Sequence, residues 1–241
     1  MVKPTFTSVI EVERIQSMAT DAGVCAAARV STKATESLHD WSEEASTGLI
    51  GYLMKNRHGS VFEHNTFTFF VKAPIFVFRE FHRHRIGWSY NEESARYKQL
   101  DPVFYIPQPD REFKQVPGGK PGHYRYEAGS PKEHEDLAWH IVQSCTQAYE
   151  HYENMLAAGV AKEVARMVLP VTIYSSMYAT CNARSLMSFL SLRKKLSAEE
   201  AQFPSNPMKE INVVADAMEE VFAAEMPVTH AAFVANGFVA P

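Results

Sequence analysis

Cysteine is scarce in this chain. Only Cys25, Cys145 and Cys181 occur in 241 residues, with no CxxC or similar pair. Neither a zinc site nor a disulfide framework is suggested, and a reducing, cytoplasmic setting is expected. Two phosphate-binding fingerprints are also missing. There is no GxGxxG and no GxxxxGK[ST], so any nucleotide must be held by side chains rather than by a glycine-rich loop. No long apolar run occurs, and the opening MVKPTFTSVIEVERIQ reads as neither signal peptide nor membrane span. Repeats and low-complexity tracts are lacking. So is an excess of positive charge: 24 Lys+Arg against 28 Asp+Glu leave a net charge of -4. A protein living on nucleic-acid backbone is usually basic, so neither a nucleic acid nor a membrane is an expected partner. With 46% hydrophobic residues a normal core is available, and a single domain over residues 1–241 is expected.

Against that plain background one stretch is dense in chemistry. Arg83-His84-Arg85-Ile86-Gly87-Trp88-Ser89-Tyr90-Asn91-Glu92-Glu93-Ser94-Ala95-Arg96-Tyr97 holds three arginines, a histidine, two carboxylates, two serines and two tyrosines. Guanidinium groups are costly to bury without an anion, and they bind carboxylate or phosphate with paired hydrogen bonds. The stretch reads as a pocket for a phosphorylated, planar ligand. A small anion suits arginines this local better than a polymer does.

The hydrophobic pattern predicts helices over 15–30, 40–55, 75–83, 133–158, 162–168, 182–193 and 208–224. Strands are predicted over 65–71, where Phe67, Phe69 and Val71 share a face, and over 171–179. Pro74 suits the first turn of the helix that follows it. On that helix Arg79 and Arg83 share a face, as do Glu80 and His84, and Gly87 ends it. Ser89 to Ser94 then reads as a loop, and 97–106 as extended. Residues 115–122 read as a surface loop or a substrate lid. Without βαβ regularity, an α+β class is favoured: a mostly antiparallel, twisted sheet packed with several helices.

Several residues have two uses open to them. Asn182 can cap the helix that follows, or bind a ligand. Arg193 can sit in the last helical turn for the helix dipole alone, or act on a substrate. On the same helix Arg184, Ser188 and Ser191 form a polar face. A metal at His82 and His84, with His58, Glu63 and His64 upstream, is disfavoured, because positions two apart diverge on a helix and the flanking arginines repel a cation. Ser94 lacks a G-x-S-x-G elbow, so its hydroxyl is expected to bind rather than attack. Cys181 reads as a small buried hydrophobe.

The motifs together, in this order, resemble the flavin-dependent thymidylate synthases. The likeness runs through Ala27-Ala28-Arg29-Val30-Ser31, Phe62-Glu63-His64, Val71-Lys72-Ala73-Pro74, Arg83-His84-Arg85 followed by Ser94-Ala95-Arg96-Tyr97, Ala165-Arg166-Met167-Val168-Leu169-Pro170 and Asn182-Ala183-Arg184-Ser185-Leu186-Met187. The resemblance implies an enzyme making dTMP from dUMP, with methylenetetrahydrofolate as carbon donor and NADPH-reduced FAD as hydride source. It implies a homotetramer with sites shared between subunits. It further implies FAD binding by His58, Ser60, Arg83, His84, Arg85, Glu92, Asn182, Arg184 and Ser188. For dUMP it implies Glu80, Arg83, Glu92, Glu93, Ser94, Ala95, Arg96, Arg166 and Arg193. Arg193 is implied as the catalytic group set against the uracil, and no metal is implied. A relative that binds flavin and nucleotide but has lost methyl transfer is the alternative.

The chain departs from the family pattern in places. Eight residues, Ile86 to Glu93, separate Arg85 from Ser94, one more than the family spacing, so a bulge near Ile86-Gly87-Trp88 is expected. Glu80 stands where the family usually has Gln, Ser188 where it has Asn, and Ser60 where it often has Thr.

Overall fold

The computed structural model describes residues 2–34, 42–120 and 123–241. They form two compact units, neither of them a continuous piece of sequence. One takes Met1–Ile10, Lys72–Glu80 and Glu92–Ser176; the other takes Glu11–Val71, Phe81–Asn91 and Met177–Pro241. The chain passes from one to the other inside four elements: β3 (Thr66–Pro74), α4 (Ile75–Phe81), β4 (Trp88–Glu92) and β8 (Tyr174–Asn182). Helices and strands are mixed without βαβ order, as the α+β expectation has it.

In the first unit β1 (Thr5–Thr7) pairs in parallel with β5 (Val103–Tyr105). The long helix α5 (Pro131–Ala157) starts where its chemistry says it should. Ser130 and Glu133 form a reciprocal capping box, and Pro131 takes the first turn. Its buried face, Cys145, Tyr149 and Tyr152, packs on Phe104, Leu100, Ala165 and Ile173. The short α6 (Lys162–Ala165) runs into a 3-10 turn, Arg166–Val168, which ends before Pro170. The first two N–H groups of α4 donate to the carbonyls of Ile173 and Val171, both at 3.0 Å, so that helix start is tied down.

The 115–122 segment is not the surface loop expected. β6 (Lys114–Lys120) and β7 (His123–Glu127) make an antiparallel hairpin, with Lys114 opposite Glu127 and a register shift between Val116 and Lys120. Its Pro and Gly content reads as loop in sequence, yet an irregular ladder tolerates both. Residues 121–122 lie outside the described set.

The second unit is built on a sheet of order β2-β3-β8-β4, in which β2 is Glu11–Ser17. In β3 the expected alternation holds, with Phe67, Phe69 and Val71 fully buried. Thr68 and Thr180 hydroxyls meet across the strands at 3.0 Å. The helix expected over 15–30 is a correction. Residues Glu11–Ser17 form strand β2, and α1 spans Asp21–Lys33, capped by Thr20, whose hydroxyl accepts the Gly23 N–H at 2.9 Å. The alternating Glu11-Val12-Glu13 pattern is that of a half-exposed strand, which charge-rich composition disguises. Helix α2 (Glu43–Lys55) is capped by Ser42; the expected start at Asp40 and Trp41 lies outside the described residues. After α3 (Ser60–Glu63) come α7 (Ala183–Arg193) and α8 (Lys209–Glu225), close to expectation. Helix α9 (Pro227–Ala235) was not anticipated. Its first turn is tied to buried Asp21, whose carboxylate accepts the N–H groups of Val228 (2.9 Å) and Thr229 (2.8 Å).

Around the arginine-rich stretch three expectations fail together. Helix α4 ends at Phe81, so Arg83 and His84 lie beyond it and share no helical face with Arg79 or Glu80. The Tyr90 hydroxyl donates to the carbonyls of Phe81 (3.1 Å) and His84 (2.9 Å), occupying acceptors at the point where the helix would continue. Most of the Ser89 to Ser94 segment, read as loop, belongs to β4, which spans Trp88–Glu92. Trp88 and Tyr90, two apart and therefore on one face, stack at 5.7 Å. Gly87 does not end a helix; it sits in a tight turn, Arg85–Trp88, with φ +69°. The region expected to bulge is this turn. Ser185 Oγ donates to the Ile86 carbonyl at 2.9 Å. A side chain at Gly87 would run into that hydroxyl and lie 2.6 Å from Asn182 Nδ2.

Gly87→Ala therefore combines a left-handed φ with a steric clash. The variant is expected to lose about 1–3 kcal/mol in urea unfolding. A loss under a few tenths of a kcal/mol would show that the turn relaxes freely.

Candidate functional site

In the first unit the chain leaves β4 at Glu92 and closes one helical turn. The N–H groups of Tyr97 and Lys98 both donate to the Ser94 carbonyl at 3.0 Å, and Ser94 Oγ accepts the Arg96 N–H at 3.3 Å. That turn forms one side of a cavity of about 280 Å³. Glu92, Glu93, Ser94 and Ala95 line it, with Arg166 from the 3-10 turn and Ser175 from β8. Apolar side chains, among them Ile75, Leu169 and Ile173, complete the wall.

The charges here are partly spent within the protein. Glu93 pairs with Lys98 at 2.7 Å and accepts the Ser176 hydroxyl at 3.1 Å. The Glu93 carboxylate in turn raises the Lys98 pKa. Arg96 lies over the Tyr97 ring, its Nε 3.1 Å from Glu163 Oε2, with both side chains half exposed. Arg166 Nε donates to the Glu163 carbonyl at 3.4 Å. Glu80, from α4, belongs to the same unit but does not line the cavity.

The second unit gathers the other expected residues. Helix α7 begins at Asn182, whose side chain accepts the Ser185 N–H at 2.8 Å, so its capping role is real. Two residues on, Arg184 bonds Glu63 (2.6 Å) and the Pro241 carbonyl (2.7 Å). Gly59 lets that guanidinium approach, since a Cβ there would stand 2.5 Å from Arg184 Cζ. Through Gly59 and Glu63, the His58–Ser60 segment comes beside α7. Ser188 Oγ donates back to the Arg184 carbonyl at 3.1 Å. Arg83 and Arg85 are exposed on the turn leading into β4.

His84 faces α7 differently. Its ring meets Phe189 edge-on at 5.0 Å, and its Nε2 accepts a hydrogen bond from Arg193 Nε at 3.1 Å. The imidazole is therefore neutral, with its proton on Nδ1. Burial, and secondarily the Arg193 charge, push its pKa down to about 4. The expected residues thus form two groups. Glu92, Glu93, Ser94, Ala95 and Arg166 line the cavity with Arg96 nearby, while His58, Ser60, Arg83, His84, Arg85, Asn182, Arg184, Ser188 and Arg193 belong to the second unit. Sequence reasoning missed Glu163, Ser175 and Phe189 as parts of these arrangements. Glu163 lies three residues from Arg166 on a helix-like run and could have been noticed as its neighbour; Ser175 carries no local signal. Among the described residues no cluster of three His, Cys, Asp or Glu could hold a metal ion. No helix there is long and apolar enough to cross a membrane.

Residues 14–228 match the family model described as thymidylate synthase complementing protein. The chain is 58% identical over 236 residues, 97% of its length and 94% of the relative's, to a Streptomyces coelicolor protein named flavin-dependent thymidylate synthase. A protein of the same name from Tropheryma whipplei is 49% identical over 239 residues, 99% of this chain and 98% of that one. Among solved structures, the UMP/dUMP methylase PolB of Streptomyces cacaoi with bound 5-Br dUMP is similar at a TM-score of 0.91 and 48% identity, covering 98% of this chain and 99% of that one. The same methylase with 5-Br UMP gives 0.89 and 48%, over 99% and 100%.

The His84 geometry predicts a pH dependence. In the unfolded chain the imidazole takes up its proton below about 6.5; in the folded chain it resists until about 4. Stability from this group is thus complete above pH 6.5 and is lost as pH falls towards 4. In His84→Gln, melting temperature should fall less steeply across that window than in the parent. Parallel slopes would remove the proposed linkage.

Proposed function

The chain belongs to the flavin-dependent thymidylate synthase family, and we propose that it converts dUMP to dTMP, taking the methylene from methylenetetrahydrofolate and the reducing hydride from NADPH by way of FAD. The observation that carries this reading is the convergence of Glu92, Glu93, Ser94, Ala95 and Arg166, two motifs far apart in sequence, on one cavity.

For the nucleotide phosphate, Arg166 offers a planar bidentate donor and Ser94 a hydroxyl. Arg96 is tied to Glu163 only by a half-exposed pair, worth about 0–1 kcal/mol, so a phosphate dianion can draw it away. Glu93, with its charge met by Lys98, adds little repulsion. Arg193 is assigned to the uracil edge, where a guanidinium stabilises negative charge developing on N3, O2 and O4 as C5 becomes nucleophilic. Its hydrogen bond to neutral His84 fixes the direction of the fork. No cysteine nucleophile is needed, and Cys25, Cys145 and Cys181 are all buried thiols whose pKa is raised by burial.

The donor set in the second unit suits a pyrophosphate-bearing dinucleotide. Arg83 and Arg85 are exposed guanidiniums, and His58, Ser60 and Ser188 are exposed hydrogen-bonding groups. Glu63, the carboxylate among them, is already paired with Arg184. We assign His58, Ser60, Arg83, Arg85 and Ser188, with Asn182 and Arg184, to FAD, which when bound supplies the hydride chemistry. A homotetramer with sites shared across subunits belongs to the same proposal.

UMP is a second candidate substrate, because the similar methylase was crystallised with both 5-Br dUMP and 5-Br UMP. The test is methylation of dUMP and of UMP in parallel, with folate and NADPH. The purified protein should carry flavin absorption, and dTMP should form only with folate present. Bound flavin without product would favour the relative that has lost methyl transfer. Arg193→Ala should lower turnover at least about a hundredfold while flavin stays bound. Turnover within a few-fold of the parent would strip Arg193 of the role assigned.

A further inference from the structure

We infer that the hydroxyl of Ser175 is a further ligand of the nucleotide, donating a hydrogen bond to its phosphate; this rests on reading the cavity as the phosphate end of the dUMP site. Ser175 lines that cavity, is 3% exposed, and its Oγ has no hydrogen-bond partner among the described residues. Buried hydroxyls are nearly always paired, so an unmet one needs a reason.

Strand β8 supplies the contrast. Ser176, on the opposite face, has its hydroxyl and its carbonyl met: the hydroxyl donates to Glu93 Oε2 at 3.1 Å, and the carbonyl accepts the Glu93 N–H at 2.8 Å. Ser175 falls on the other face with Ile173, two residues before it, and both line the cavity. Period-two geometry therefore aims the hydroxyl where no protein acceptor meets it. The neighbouring polar groups have protein partners. Glu93 holds Lys98, Ser94 Oγ accepts the Arg96 N–H, and Arg166 Nε donates to the Glu163 carbonyl. The apolar side chains of the lining have no acceptor to give. A phosphate drawn in by Arg166 and Ser94 brings several acceptor oxygens into the same small space, and a serine hydroxyl is a suitable donor to one of them.

The test separates a ligand from a structural hydroxyl. In Ser175→Ala, removal of an unpaired buried group should leave the melting temperature of the nucleotide-free protein unchanged or raise it. Affinity for dUMP, measured by calorimetry, should weaken about ten- to a hundredfold, the effect of losing one hydrogen bond to a charged group. Affinity for deoxyuridine, which lacks the phosphate, should not change. Unaltered dUMP affinity would overturn the inference, and so would an equal loss for deoxyuridine. A lowered melting temperature with a loss common to both ligands would show a structural hydroxyl instead. If the parent protein itself fails to bind dUMP, the reading of the cavity falls. If the parent binds and the variant binds equally well, only the role of Ser175 falls.

Discussion

The contact between Phe81 and Phe189 holds the chemistry-bearing half of the second unit in place. The rings are fully buried and stack at 4.9 Å with 23° between their planes. Burying each phenylalanine is worth about 1.5–3 kcal/mol, and the ring pair adds about 0.5–1.5 kcal/mol. Phe81 is the last residue of α4, and Phe189 lies near the middle of α7. Trp88 and Tyr90 of β4 pack edge-on to Phe81, at 6.0 and 6.3 Å, and His84 packs on Phe189. One aromatic cluster thus sets the helix end, the turn after it, the strand beyond and the helix carrying Asn182, Arg184 and Arg193. The Tyr90 hydroxyl, bonded to two carbonyls of the intervening turn, makes the cluster specific rather than merely greasy.

Electrostatics follow from that frame. Arg193 donates to a neutral imidazole, and that hydrogen bond directs its guanidinium. Arg184 is paired with Glu63, both side chains being half exposed. Lys98 cancels Glu93, and Glu163 engages Arg96 only loosely at the surface. The guanidiniums therefore differ in their protein partners: Arg96 and Arg184 each meet a half-exposed carboxylate, whereas Arg193 donates to an imidazole. A count of arginines along the stretch cannot tell them apart.

The dense stretch from Arg83 to Tyr97 is also divided by the fold. Residues up to Asn91 belong to one unit, and those from Glu92 onwards belong to the other. The motif is continuous in sequence because β4 carries the chain from one to the other. Its two halves meet different neighbours: α7 for Arg83 to Gly87, and the Arg166 turn and β8 for Glu92 to Ala95.

How much of this was legible beforehand varies by element. Helices α5, α7 and α8 read correctly because each has a long periodic face and, in α5 and α7, a strong capping residue, Ser130 or Asn182. Strand β3 read correctly because Phe67, Phe69 and Val71 alternate without interruption. Strands β2 and β4 did not, since half of each faces outward and polar residues hide the period of two. Helix α9 escaped notice because its start is capped by Asp21, some two hundred residues away. By itself, the sequence determined the residue types gathered for binding anions, the helices with strong local signals and the family likeness. Tertiary structure alone decided that α4 stops at Phe81, that His84 is neutral against Arg193, that Arg184 pairs with Glu63, and that Ser175 faces a cavity. Each of these depends on a partner distant in sequence, and burial, pKa and hydrogen bonding are set by such partners rather than by chain neighbours.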